Sequence, residues 1–176
     1  LSSTATGNFA AMMARAARLY HSIDTTFSNK CLNAATLAWS FLVSNPTIVP
    51  TGGFKNPTGT VTGEYGDTND SDERLWAAAE LYETTGLSDY DNYFMANYAS
   101  GGIISGAMSW NKVKNLALLT YLNSAQTGAS QTVKNQIKNS LVSYANTLLG
   151  RASANGFGVT INPGEYNWGC NSDVLN

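Results

Sequence analysis

Residues 63–82 read GEYGDTNDSDERLWAAAELY and join a loop rich in glycine and acids directly to an alanine-rich helix. From Leu75 to Tyr82 this predicted helix is apolar on almost every face, which is typical of a helix buried on most sides. Four acids fall within residues 67–73, although only 12 % of the chain is charged. We therefore expect the fold to be organised around this helix and the acid cluster to have a specific role.

Three roles are open for the oxygen-bearing side chains of this cluster, which are Asp67, Asn69, Asp70, Asp72 and Glu73. Asp70 could cap the helix, with Glu73 reaching back to complete a capping box. The cluster could instead bind calcium, because this ion prefers carboxylate, amide and carbonyl oxygens from flexible loops. The carboxylates could also act as a catalytic acid and base. The residues alone favour the helix cap over the metal and the metal over catalysis.

Helical patterns cover most of the remaining sequence. Apolar residues recur every three or four positions in residues 5–20, 28–43 and 130–150, and shorter patterned runs occupy residues 88–98 and 109–123. Short turns join several of these segments, so neighbouring helices should lie antiparallel. We count about six helices and no convincing pair of strands, which predicts an all-α fold, either a helical toroid or a bundle.

Two long loops, residues 45–67 and 151–165, each come before the start of a helix. Long ordered loops in a compact domain are often functional. Four aromatic residues lie in or beside loops that precede helices, and they are Tyr65, Trp110, Tyr166 and Trp168. Sugar rings present flat apolar faces that stack on such side chains, whereas the plainer interpretation of each one is a core or rim residue.

Composition argues against several classes of function. The net charge is -2 and no basic stripe is present, so nucleic acid is not an expected partner. No apolar run approaches the length of a membrane span, so we expect no membrane segment. One histidine and the lack of a G-x-S-x-G or P-loop motif argue against nucleophilic hydrolysis and phosphate chemistry. Low charge with abundant glycine and aromatic residues favours a secreted protein.

Three segments resemble glycoside hydrolase family 9, the cellulase family of inverting β-1,4-glucanases. Residues 62–86, TGEYGDTNDSDERLWAAAELYETTG, closely resemble one segment of that family, and residues 5–39 are similar to the helical hairpin that comes earlier in it. Residues 166–176, YNWGCNSDVLN, resemble its Y-x-W-G-S-N-x-x-V-L-N motif. The matches occur in the family's order and span nearly the whole chain.

The resemblance implies an (α/α)6 toroid, of which residues 1–176 would supply roughly the middle half as a catalytic domain incomplete at both ends. Family members hydrolyse cellulose with one carboxylate that activates water and another that protonates the leaving oxygen. The base comes from a D-x-G-D motif ahead of the first hairpin and the acid follows the W-G-S-N helix. We expect neither in this chain. Gly66 and Asp67 lack the preceding aspartate of a D-x-G-D motif, and the acid of the family comes after the segment that matches residues 166–176. We expect endo-type cleavage by the whole enzyme, with the rest of the domain as a partner and no activity from this segment alone.

The resemblance also implies a structural calcium ion. In family members that bind calcium near this helix, the ligands match Thr68, Asp72, Glu73 and Asn111. Asparagine at position 111 replaces the usual aspartate, which matters little if the ligand is a backbone carbonyl. With the family in view, calcium becomes the favoured role of the acid cluster, and a helix cap can coexist with it.

For the substrate, Trp168 matches a tryptophan that stacks on glucose in the cleft, and Tyr65, Trp110 and Tyr166 are placed less closely by the resemblance. The expected partner is therefore cellulose or another β-1,4-glucan. Two other functions remain open. One is a non-catalytic toroid that binds glucans, and the other is a helical-toroid glycosidase that acts on a different polysaccharide.

Overall fold

The computed structural model describes residues 1–64, 66–104, 106–162 and 165, and within them the chain is helical. Six α-helices lie in these ranges: α1 (Ser3–Tyr20), α2 (Thr25–Ser44), α3 (Ser71–Thr85), α4 (Ser88–Asn97), α5 (Lys114–Leu122) and α6 (Gln131–Ala154). The all-α prediction is therefore confirmed. None of the described helices is both long and apolar enough to cross a membrane.

Helix α5 begins later than the sequence pattern predicts. The apolar period suggests a start near Ser109, but the helix begins at Lys114. Ser109 and Lys112 instead pair as an isolated antiparallel bridge, which closes a turn around Trp110 and Asn111. The turn takes up the residues that the periodicity assigns to the first turn of the helix.

The helices form two layers. Helix α3 packs against α1 on one side and α5 on the other, and the second helix of each hairpin, α2, α4 or α6, packs against its first helix. Contacts pair early residues with early ones and late residues with late ones, as in Gly7 beside Glu73 and Arg18 beside Glu80. The inner helices α1, α3 and α5 are therefore parallel, and their N-termini lie at the same end.

Helix α3 is the centre of this arrangement, as its composition predicts. Every residue from Glu73 to Tyr82 is buried, including two glutamates and an arginine. Neighbouring helices on both sides and α4 behind it cover the apolar residues. Gly86 then ends the helix in the left-handed conformation (φ 69°), which glycine adopts without steric cost.

Helices α1 and α3 approach most closely at Gly7. A Cβ atom at this position would lie 2.6 Å from Cβ of Glu73, which is closer than two carbon atoms can pack. The hydrogen atom of Gly7 thus allows the two helices to bring the N-terminus of α3 against α1. This contact fixes where the acid cluster lies relative to the inner layer.

We expect Gly7→Ala to lower the free energy of unfolding by about 1–3 kcal/mol, because overpacking outweighs the gain in helix propensity. Gly150, inside α6, is the matched control, since a Cβ there meets nothing within 4 Å. Gly150→Ala should stabilise the protein by about 0.5–1 kcal/mol. Urea unfolding of both variants measures the two effects, and equal shifts of the same sign would contradict the close packing at Gly7.

Candidate functional site

A cavity of about 470 Å³ lies where the N-termini of α3 and α5 meet. Its walls are the loop before α3 and the loop between α4 and α5. Polar groups dominate its lining, notably Thr68, Asn69, Asp72, Asn111, Lys114 and Asn115. Three of the four residues predicted as calcium ligands are among them, and Glu73 is adjacent in sequence to Asp72.

The loop before α3 is held in place by its own backbone. The amide of Phe54 donates to the carbonyl oxygen of Asp67 at 2.8 Å. Gly53 lies directly against the same carbonyl with φ 90°, and a Cβ there would be 2.0 Å from the oxygen. A glycine is therefore required at position 53 for the loop to double back and place Asp67 beside the helix N-terminus.

The predicted capping box at the start of α3 is wrong. Asp70 occupies the N-cap position, but its side chain makes no capping hydrogen bond and its backbone (φ -111°, ψ 10°) is not extended. Its carboxylate instead accepts a hydrogen bond from Arg74 at 2.8 Å. Arg74 also donates to the carbonyl oxygens of Leu42 and Asn45, so it ties the end of α2 to the start of α3. The hydrogen bond from Arg74, which is itself held by the end of α2, therefore replaces the predicted capping hydrogen bond of Asp70.

Glu73 does not reach back to the cap either. It is fully buried, and neither of its carboxylate oxygens has a hydrogen-bond partner among the described residues. Burial, followed by repulsion from Asp72, raises the pKa of Glu73 to about 9. Burial also raises the pKa of Asp67. A buried carboxyl group without a donor is costly unless a cation or proton neutralises it.

The other predicted metal ligands, Thr68, Asp72 and Asn111, line the cavity, whereas Glu73 follows Asp72 in the chain and is not part of that lining. One oxygen of Asp72 accepts a hydrogen bond from the amide of Val113 at 2.8 Å, which joins α3 to the start of α5. The side-chain oxygen of Asn111 accepts one from the Ser109 hydroxyl at 2.9 Å. Among the described residues no three Asp, Glu, His or Cys side chains form a metal site by themselves. Any ion here would also need neutral oxygens, such as those of Thr68 and Asn111.

The predicted sugar-binding residues have different outcomes. Trp110 lies in the turn before α5 with 46 % of its surface exposed, next to Asn111 in the cavity wall. Tyr65, Tyr166 and Trp168 lie outside the described residues, so their role stays a prediction. Lys114 and Asn115 also line the cavity, and sequence reasoning missed both. No sequence pattern marks them, since their partners are backbone carbonyls of the preceding loop.

A second polar centre lies towards the other end of the inner helices. Glu80 of α3 is 1 % exposed and accepts hydrogen bonds from Arg18 (2.6 Å), Trp76 (3.2 Å) and Thr120 (2.8 Å). These donors belong to α1, α3 and α5 respectively. The carboxylate therefore connects all three inner helices, and each of its oxygens has a partner.

Comparison with known proteins gives consistent matches. The sequence model of glycosyl hydrolase family 9 matches residues 1–176. Endoglucanase D of Acetivibrio thermocellus is 39% identical over 175 residues, which are 99% of this chain and 27% of that protein. A xyloglucan-specific endo-β-1,4-glucanase of Bacteroides ovatus is 29% identical over 177 residues, covering 95% of this chain and 30% of that protein.

A solved structure gives the same result for the fold. The GH family 9 endoglucanase J30 superposes with a TM-score of 0.83 and 32% identity, over 96% of this chain and 31% of that one. The chain thus spans between a quarter and a third of the length of these proteins.

Proposed function

The chain belongs to glycosyl hydrolase family 9, and we propose on that basis that the protein carrying it hydrolyses β-1,4-glucosidic bonds in cellulose. Its described helices are three hairpins of the family's (α/α)6 toroid. The observation that carries the proposal is the match of the family over all of residues 1–176, together with the superposition on a family 9 endoglucanase. Endo-type cleavage with inversion is part of the proposal.

In this proposal residues 1–176 form part of the wall of the cleft, and the catalytic acid and base lie elsewhere in the protein. The described acids of the cluster are already engaged or inaccessible. Asp70 pairs with Arg74, Asp72 accepts from Val113, and Glu73 has no exposed surface. Inversion needs two carboxyl groups roughly 6.5–9.5 Å apart with room for water and substrate between them. A carboxylate sealed inside the helix layer cannot meet that need.

Calcium is the proposed ligand of the acid cluster. The buried carboxyl group of Glu73 supports it, because no described donor reaches its oxygens and a divalent cation would neutralise them. Thr68, Asp72 and Asn111 line the cavity at the start of α3, and their oxygens suit a cation that accepts carboxylate, amide and carbonyl ligands. The ion would hold the loop before α3 to the start of α5 and take no part in bond cleavage.

Trp110 is the proposed sugar-stacking residue among those described. Its indole is half-exposed, and the next residue, Asn111, lines a cavity that also contains amides, hydroxyls and charged groups. Such a combination suits a glucan, whose rings have apolar faces and hydroxyl edges. Tyr65, Tyr166 and Trp168 complete the proposed set.

The remainder of the toroid is the proposed partner of this segment. The side of α1 that faces away from α2 and α3 carries a row of exposed apolar side chains, namely Phe9, Met12 and Leu19. Their spacing forms one stripe, and apolar stripes of inner helices are normally covered by a neighbouring helix. An insoluble polymer cannot enter a cell, so we further propose that the protein acts outside it.

Two other functions are kept because specific observations favour them. The similarity to a xyloglucan-specific enzyme favours a glycosidase for another β-glucan. Asp70 and Asp72 are hydrogen-bonded and Glu73 is fully buried, so these acids offer no accessible catalytic carboxylate, which favours a toroid that binds glucans without cutting them. In both alternatives a glucan would bind at the same cavity, but the first protein would cleave a different β-glucan and the second would cleave none.

Release of reducing ends tests the proposal. The longer protein that carries residues 1–176 should act on carboxymethylcellulose, and the polypeptide of residues 1–176 should not. A parallel assay on xyloglucan, xylan and mixed-linkage glucan separates the glycosidase alternatives. Turnover by residues 1–176 alone would contradict the placement of the acid and base, and binding without turnover by the longer protein would favour the binding toroid.

A further inference from the structure

We propose that Lys114 is a positioning residue for glucan binding, which fixes the loop between α4 and α5 so that Trp110 can stack on a sugar ring. The inference rests on the proposed function of Trp110. Lys114 would not contact the sugar and would act only through the loop that carries Trp110. Its evidence is the pattern of hydrogen bonds between α5 and the loop.

The ammonium group of Lys114 connects α5 to the loop between α4 and α5. It donates to the carbonyl oxygens of Ser100, at 2.6 Å, and Gly102. Gly101 and Gly102 both have left-handed backbones, with φ 69° and 94°, and this turns two nearby carbonyls towards one donor. A lysine ammonium with three donors can serve both acceptors, whereas an uncharged side chain of similar length cannot.

Other contacts hold the rest of this loop. The amide of Ile104 donates to Ser140 of α6 at 3.0 Å, and Asn115 donates to the carbonyl oxygen of Gly106 at 2.9 Å. The far end of the loop is held at Val113 by Asp72. Ser100 and Gly102 are the part of the loop nearest α4, and Lys114 provides their contact with α5.

Trp110 belongs to the loop that Lys114 contacts. Trp110 lies four residues before Lys114, in the turn that completes the same loop. Loops that present binding residues need rigid support, because disorder in the free protein reduces affinity. Ser100 and Gly101 line the same cavity as Asn111, the residue that follows Trp110. Without its contact to Lys114, this part of the cavity wall would sample more conformations, and a glucan that stacks on Trp110 would have to order it on binding.

The test uses Lys114→Met in the longer protein, with Lys138→Met as the matched control. Lys138 is an exposed lysine of α6 and does not line the cavity. We expect Lys114→Met to raise KM for cello-oligosaccharides about fivefold to tenfold with kcat within about twofold, as for a loss of uniform binding. Amide exchange should accelerate in the loop between α4 and α5 and stay unchanged in α3. Lys138→Met should match the unmodified protein in KM, kcat and exchange.

Two further variants keep the result interpretable. Lys114→Arg should restore most of the affinity, since a guanidinium group also reaches two carbonyl oxygens. Gly101→Ala disturbs the same contact from the loop side, because alanine is strained at φ 69° and a Cβ there meets no neighbour. It should reproduce the rise in KM if Lys114→Met does not fold.

The outcomes separate the inference from the function on which it rests. If Trp110→Ala raises KM and Lys114→Met and Gly101→Ala do not, the inference is wrong and the function stands. If Trp110→Ala leaves glucan affinity unchanged, the proposed sugar contact is wrong, and the proposed role of Lys114 is wrong with it. A loss of kcat and of global protection in Lys114→Met would show a merely structural role and would also overturn the inference.

Discussion

Replacing Glu80 by alanine is expected to lower the free energy of unfolding by about 3–5 kcal/mol, the range for removal of one partner from a buried ion pair. Glu80 is 1 % exposed, and its carboxylate accepts hydrogen bonds from Arg18, Trp76 and Thr120. Alanine leaves the guanidinium of Arg18, whose side chain is 31% exposed, without its carboxylate, and it leaves the buried indole N–H of Trp76 and the half-buried hydroxyl of Thr120 without this acceptor. It also opens a cavity inside the inner layer.

Two further variants identify the origin of this loss. Glu80→Gln keeps the volume and one acceptor oxygen but presents an amide donor to Arg18, so a smaller loss is expected. Glu64→Ala removes an exposed acid from the loop before α3 and should change stability by less than about 0.5 kcal/mol. Urea unfolding measures all three. A Glu80→Ala effect no larger than that of Glu64→Ala would contradict the role of Glu80 in joining three helices.

Calcium is expected to raise the melting temperature of the protein, and Asp72→Ala combined with Glu73→Ala is expected to abolish that rise. A ligand at a hundredfold excess over its Kd stabilises the native state by about 2.7 kcal/mol. For a domain of this size, that corresponds to an increase of roughly 5–10 °C, and a larger cooperative unit would show a smaller increase. The double variant removes the unpartnered carboxyl group of Glu73 and the carboxylate of Asp72.

The behaviour without calcium is informative as well. In the presence of a chelator, the double variant should lose less stability than Glu80→Ala, although truncation of the fully buried Glu73 also opens a cavity. The variant gives up the hydrogen bond from Val113 to Asp72, but it also removes a buried carboxyl group that is repelled by its neighbours. Asp89→Ala is the matched control, because Asp89 is also an acid in the first turn of a helix and is exposed. Scanning calorimetry with and without calcium measures each variant. A full calcium response in the double variant would rule out this site.

Much of the fold can be predicted from local patterns. The uniformly apolar run from Leu75 to Tyr82 predicts a central helix, and α3 is buried along that whole run. A glycine just after a helix and a serine just before one are signals of this kind. The structure has Gly86 at the end of α3, and at the start of α6 the Ser130 hydroxyl accepts from the amide of Val133. These signals are reliable because each depends on a few adjacent residues.

The site could be predicted less completely because its main contacts are between distant residues. Asp70 and Glu73 have the spacing of a capping box, but Arg74 takes Asp70 while it binds the end of α2. Lys114 reads as an ordinary first-turn lysine until its carbonyl partners are seen. The resemblance to a family gives the residues Thr68, Asp72 and Asn111 together, and the cavity does bring these three to one place.

The central claim is that the acid cluster at the start of α3 supports the wall of the cleft and does not perform the chemistry. The most direct test is kcat on saturating cello-oligosaccharide for the longer protein with Asp72→Ala and Glu73→Ala, measured at a temperature where circular dichroism shows it folded. We predict a kcat within about tenfold of the unmodified protein, because a general acid or base usually contributes about 10²–10⁴-fold. A loss of about a hundredfold or more, with fold and substrate affinity retained, would contradict the claim and make the cluster catalytic.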